Sequence, residues 1–187
     1  MRPRLVLAVL ACAATLAAAC ASSPPVAPDA TGAADLAPFP YTAAQIRDAT
    51  PAGRTYVFRM AQGDEVVLRT IRFMAVDAEG AETLATLADL TGAPVAEPAR
   101  QRVSWDELRQ HASYPRATTT LSDATVTVPA GTFACRRYVV QIGSDEQIVV
   151  DFAHDLPGAP VSLVDVKAGA EVLRMTLERH EVAAATP

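Results

Sequence analysis

From Thr55 to Arg179 the chain repeats one theme: a short segment of alternating apolar and polar residues, then a few residues of turn chemistry. Alternation with period two puts successive side chains on opposite faces of a strand. A succession of such segments joined by tight turns must pair as antiparallel hairpins. Thr55 to Met60 sets Tyr56, Phe58 and Met60 on one face and Thr55, Val57 and Arg59 on the other, before the turn Gln62-Gly63-Asp64. Val66 to Val76 is its hairpin partner, and Asp77-Ala78-Glu79-Gly80 turns into Glu82 to Leu90. In that third segment helix and strand signals conflict, and the flanking hairpins assign it to strand. Thr125 to Val128, Cys135 to Ile142, Gln147 to Ala153, Val161 to Val166 and Glu171 to Arg179 follow. The turns between them are Pro129-Ala130-Gly131, Gly143-Ser144-Asp145, Leu156-Pro157-Gly158 and Ala168-Gly169.

Two stretches break this rhythm with helix-start signals. Thr42-Ala43-Ala44-Gln45 and Ser104-Trp105-Asp106-Glu107 are capping boxes, in which the hydroxyl and the Gln or Glu side chain satisfy backbone amides reciprocally. The first helix carries Ile46 on its apolar side and stops at Pro51 and Gly53; the second runs through Leu108 to about Ala112 and ends before Pro115. The expected fold is mainly β (α+β): a single curved antiparallel sheet or half-barrel of about eight strands with two short helices over one face.

The N-terminus says where such a domain works. Met1-Arg2-Pro3-Arg4 is a basic n-region, and Leu5 to Ala19 is an apolar stretch of about 15 residues, short of the roughly 20 that a membrane-spanning helix needs. Residues 1–19 are therefore read as a secretory signal. Leu16-Ala17-Ala18-Ala19-Cys20 resembles the bacterial lipobox, in which the cysteine is acylated and becomes the first residue of the mature protein. That resemblance implies lipidation at Cys20 and stable attachment to a membrane, since two or more acyl chains hold where one does not. The residue after the cysteine is Ala21 and not aspartate, which under the Gram-negative sorting rule implies the outer membrane, periplasm-facing or on the surface. Ala17-Ala18-Ala19 also fits an ordinary A-x-A cleavage site, which would leave a soluble periplasmic protein. Residues 20–41, rich in Ala and Pro, read as a tether, 42–182 as one β domain, and 183–187 as a frayed tail.

Charge narrows the partners. The chain has 16 basic and 21 acidic side chains, and loss of Arg2 and Arg4 with the signal makes it more acidic still. That balance, with no basic patch in the sequence, argues against nucleic acid or an anionic lipid as a ligand. Cys135, the only cysteine beyond Cys20, is read as a small buried hydrophobe.

Three further stretches carry a resemblance: Ser104 to Pro115 (SWDELRQHASYP), Val126 to Cys135 (VTVPAGTFAC) and Phe152 to Val161 (FAHDLPGAPV). The last two are similar to a strand-turn-strand signature of bacterial exported proteins. Their sheet resembles the half-barrel of outer-membrane lipoprotein-sorting carriers, whose concave face can hold acyl chains. The resemblance implies location and fold, and brings no catalytic residues with it.

No constellation for chemistry emerges. His111, His154 and His180 lie far apart, with no metal-ligand spacing, so neither a metal nor another cofactor is expected. Gly143-Ser144-Asp145 lacks the G-x-S-x-G of a hydrolase elbow. The carboxylate pairs Asp64-Glu65, Asp106-Glu107 and Asp145-Glu146 each sit in a turn or a helix first turn, where solvation or the helix dipole accounts for them. Trp105 and Tyr114 fit either packing of the second helix onto the sheet or an aromatic lip on a ligand groove. Three functions stay open: a non-catalytic module binding a lipid or other hydrophobic ligand, an envelope protein that contacts a protein partner, and an unrecognised hydrolase.

Overall fold

The computed structural model describes residues 35–183. The signal, Cys20, most of the tether and residues 184–187 lie outside the described residues. Helix α1 spans Ala43–Ala49 and α2 spans Trp105–Gln110, each opened by the capping box read from the sequence: Thr42 with Gln45, and Ser104 with Glu107. The strands are β1 (Arg54–Gln62), β2 (Glu65–Val76), β3 (Gly80–Ala88), β4 (Ala99–Ser104), β5 (Thr119–Val128), β6 (Gly131–Gln141), β7 (Glu146–Ala153), β8 (Ser162–Lys167) and β9 (Ala170–Val182).

They form a single nine-stranded antiparallel sheet in the order β4-β3-β2-β1-β9-β8-β7-β6-β5. Two meanders, β1 to β4 and β5 to β9, are joined by the pairing of β1 with β9, which places Phe58 opposite Leu177 and Met60 opposite Met175. The sheet is open, with β4 and β5 as its edges, and the link between them carries α2 from one edge to the other. Val103 of β4 and Val150 of β7 line the same cavity although six strand spacings separate them. In a flat sheet that separation would be about 29 Å, so the sheet must curl into a half-barrel.

The architecture is the expected one, with two differences. The sheet has nine strands and not eight: β4 carries little hydrophobic signal, because only Val103 is buried along it, as befits an edge strand with one wet face. Segment Glu82 to Leu90 is a strand, as the hairpin argument required, and pairs with β2 from Ala81↔Val76 to Ala88↔Leu68. The domain also begins before Thr42. Ala37 and Tyr41 are buried, Ala37 N–H donates to Tyr114 O at 2.8 Å, Arg116 N–H donates to Asp35 O at 2.7 Å, and the Tyr138 hydroxyl donates to Pro38 O at 2.7 Å. Residues 35–41 are thus a strap on the domain and not free tether. Proline and alanine made them look like linker, yet a chain without regular structure can still be held by side chains reaching its carbonyls.

The β2–β3 turn locks the α2 end of the half-barrel. Asp77 Oδ1 accepts from the amides of Glu79 (2.9 Å) and Gly80 (3.0 Å), and Oδ2 accepts from Arg102 at 2.6 Å. The Arg102 hydrogen bond and the two amides hold its carboxyl at about 2, below its ordinary 3.8. A carboxyl depressed in the folded state contributes stability that is complete above its unfolded value and lost as pH falls through its folded value. Asp77→Asn should therefore be less stable than wild type at neutral pH, and the gap should narrow as pH falls from 3.8 to about 2. Urea unfolding at several acid pH values measures this; a gap that does not change with pH would show the contact to be worthless.

Candidate cavity on the concave face

The inward positions of the central strands are large and apolar: Tyr56 and Phe58 on β1, Ile71 and Phe73 on β2, Val150 and Phe152 on β7. Rings of this size anchor most of a core, but a curled sheet leaves space between its two halves. Leu108, Ala112 and Tyr114 from the edge-to-edge link, Ile46 from α1, and Pro40 and Tyr41 from the strap roof it over. What remains is a cavity of about 280 Å³, partly open to solvent. An engineered cavity of about 150 Å³ with apolar walls stays dry and takes up benzene, so this space is large enough to accept an apolar group.

Its polar groups are mostly spent on the protein itself. Tyr56 donates to Pro157 O at 3.3 Å, the Tyr41 hydroxyl donates to Ala153 O, and Thr83 donates to Gln101 O at 3.3 Å. The aromatic edges interlock: Tyr138 and Phe152 meet edge-on at 5.4 Å between centroids, and Tyr41 meets Phe152 edge-on at 5.9 Å. Burial raises the Tyr41, Tyr56 and Tyr114 phenols above their ordinary range and pushes Tyr138 up to about 12. At neutral pH all four are uncharged, so none acts as a base. Gly158 forms part of the wall at φ +112, where a β-carbon would lie 3.5 Å from Tyr56 Oη and 3.6 Å from Ile46 Cγ2. The positive φ is what calls for glycine there, since the added carbon would itself make only ordinary van der Waals contact.

The two aromatic residues singled out in the sequence separate here. Tyr114 lines the cavity, its ring 5.6 Å from that of Tyr138. Trp105 is buried and lies outside the lining; its Nε1 donates to Asp77 O at 3.0 Å, and its backbone amide donates to Glu79 O at 3.2 Å. As the first residue of α2 it leans back toward the β2–β3 turn, so its indole fastens the helix to that turn instead of forming a lip.

Other candidates stay apart. His111 caps α2 and lines the cavity, His154 is exposed 3.9 Å from Asp123, and His180 lies beside Arg54 at 3.4 Å. Among the described residues no three His, Cys, Asp or Glu side chains converge as metal ligands would. Asp106 is paired with Arg109 at 2.7 Å, Glu107 closes its capping box, and Glu146 pairs with Lys167 at 3.4 Å. Cys135 is buried, and that burial pushes its thiol up to about 11, far from a nucleophile's value.

Sequence reasoning missed two features. Arg69 faces inward on β2, in register with Phe58, and the alternation Arg69, Ile71, Phe73 carried that signal. Phe39 lies in the strap with the Arg109 guanidinium 4.3 Å above its ring; nothing in the tether composition marked it.

No protein-family profile matches the chain. Nor does any curated protein. Among solved structures the chain is similar to MucB, with a TM-score of 0.51 and 11% identity over 77% of this chain. The Pseudomonas aeruginosa MucA/MucB complex also gives a TM-score of 0.51 at 11% identity, and MucB in complex with MucA(peri) gives 0.50 at 11%. These matches span 58%, 56% and 57% of the MucB chains, so just over half of those proteins has a counterpart here. The class of domain is thus an open antiparallel half-barrel with helices over its concave face. The particular fold is similar to one found in MucB.

Proposed function

We propose that this protein is a non-catalytic binding module of the bacterial envelope, anchored through a lipidated Cys20 in the outer membrane, whose half-barrel takes up an apolar chain. The observation that carries the reading is the cavity: about 280 Å³, mostly apolar, partly open, with the Tyr41 and Tyr56 hydroxyls already tied to backbone carbonyls. Such a space offers burial without chemistry, and burial contributes about 25 cal/mol per Å² of apolar surface. Tyr114 serves as the aromatic lip. Ala21 after the cysteine supports the outer membrane, and enrichment of the protein in inner-membrane fractions would contradict that part.

Calorimetric titration of the chain from Cys20 onward with decanol tests the cavity. Binding should be measurable and should fall at least tenfold in Met175→Trp, which fills the lining from β9. Binding that survives this substitution in a normally folded variant would place decanol elsewhere.

A second reading has its own support: two of the similar structures are complexes of MucB with MucA. Under it the outer surface or an open edge strand engages an envelope protein. Cross-linking in cells should then trap one defined partner, and a chain that cross-links to nothing would count against it.

A further inference from the structure

The cavity contains one charge that packing does not explain. Arg69 occupies an inward position on β2, in line with Ile71 and the buried Phe73. Charges that point inward on edge strands guard against aggregation, but β2 lies between β1 and β3, so that role is vacant. Arg109 and His111 also line the cavity, yet Arg109 is engaged by Asp106 and Phe39. Among the described residues Arg69 makes no salt bridge and no side-chain hydrogen bond. Arg69 is an exposed residue while Ile71 and Phe73 on the same strand line an apolar hollow.

Resting on the cavity reading above, we propose that the ligand is a single-chain amphiphile with an anionic head, carboxylate or phosphate, held by Arg69 while its chain enters between Phe58, Ile71 and Met175. Size argues for one chain, since about 280 Å³ falls just below the roughly 300–1,000 Å³ that ligand pockets span. Chemistry argues for an anion, because a guanidinium fork meets a carboxylate or phosphate in two parallel hydrogen bonds. The acidic overall balance of the chain does not oppose this: a single arginine beside an apolar wall acts over a few ångströms, and more distant charge is screened.

The test titrates the chain from Cys20 onward with decanoate, decyl phosphate and decanol. The better-bound anion should exceed decanol by about five- to tenfold, the range for an exposed pair improved by bidentate geometry. Arg69→Gln should erase that preference while leaving decanol affinity within about twofold, and Arg69→Lys should keep part of it. The leading anion tells a fatty-acid head from a phosphate head. Equal affinities for all three ligands, or a preference that persists in Arg69→Gln, would overturn the head-group assignment and leave the cavity reading intact. Failure of all three to bind would overturn both.

Discussion

Arg137→Met should cost about 3 kcal/mol of folding stability, the largest loss expected from any single charge in the domain. Asp151 is 2% exposed, and Arg137 clasps it with two hydrogen bonds, Nε to Oδ1 at 2.7 Å and a terminal nitrogen to Oδ2 at 3.1 Å. Removing the arginine leaves a carboxylate buried between β6 and β8 with its charge uncompensated. Breaking such a pair costs roughly 3–5 kcal/mol, and we take the lower end because the Arg137 side chain is 37% exposed and water can reach that side. Taking both partners away is a different experiment. Arg137→Met combined with Asp151→Leu should lie within about 1 kcal/mol of wild type or above it, since well-packed apolar replacements spare the desolvation of two ions. Urea midpoints for the two single variants and the double variant form the cycle; a double variant as weak as Arg137→Met would show that the site needs the carboxylate for more than its charge.

Gly80→Ala should also cost about 3 kcal/mol, and it should disturb the cavity as well. A β-carbon at Gly80 would stand 2.3 Å from Val103 O and 2.9 Å from Ser104 Cα, both backbone atoms that cannot turn aside. Gly80 pairs with Ser104 where β3 meets β4, and Ser104 is the residue that caps α2. Relief must come from moving β4 or the start of α2, and overpacking that shifts backbone typically costs 1–3 kcal/mol, occasionally more. The shift would pass to Trp105, whose two hydrogen bonds end on Asp77 and Glu79, and on to Leu108 and Ala112 in the cavity roof. Gly143→Ala is the control: no atom lies within 4 Å of its added carbon, so its stability should stay within about 0.5 kcal/mol of wild type. If both variants unfold at the same urea concentration, the contact between Gly80 and β4 is looser than the distance implies.

These effects show where sequence was informative. Strands with one wet and one dry face announce themselves by alternation, and β2, β6 and β9 were legible for that reason, whereas β1 and β7, with buried runs at Tyr56 to Phe58 and Val150 to Ala153, were legible from their apolar content and bounding turns. β4 was not, because an edge strand that buries only Val103 has almost no hydrophobic signal. The capping boxes at Thr42 and Ser104 were legible because they are local, fixed by side chains three residues apart. The strap was illegible because its binding is long-range, Pro38 to Tyr138 and Ala37 to Tyr114. The cavity has the same origin: alternation says which side chains face inward, but how far α2 and the strap fill the hollow depends on contacts that no local window contains. Thus Tyr114 and Trp105 looked alike in the sequence and have different places in the fold. One lines the cavity and the other pins a helix.

The central claim is that an apolar chain enters this cavity, and methionine-methyl NMR tests it most directly. Met175 lines the cavity with Met60 opposite it in register, whereas Met74 is exposed and outside the lining. On addition of decanol the Met175 methyl resonance should shift and the Met60 resonance with it, while Met74 stays in place. If Met74 moves and Met175 does not, or if none of the three responds, the half-barrel interior is closed core and the account of this protein as a module that binds an apolar chain is wrong.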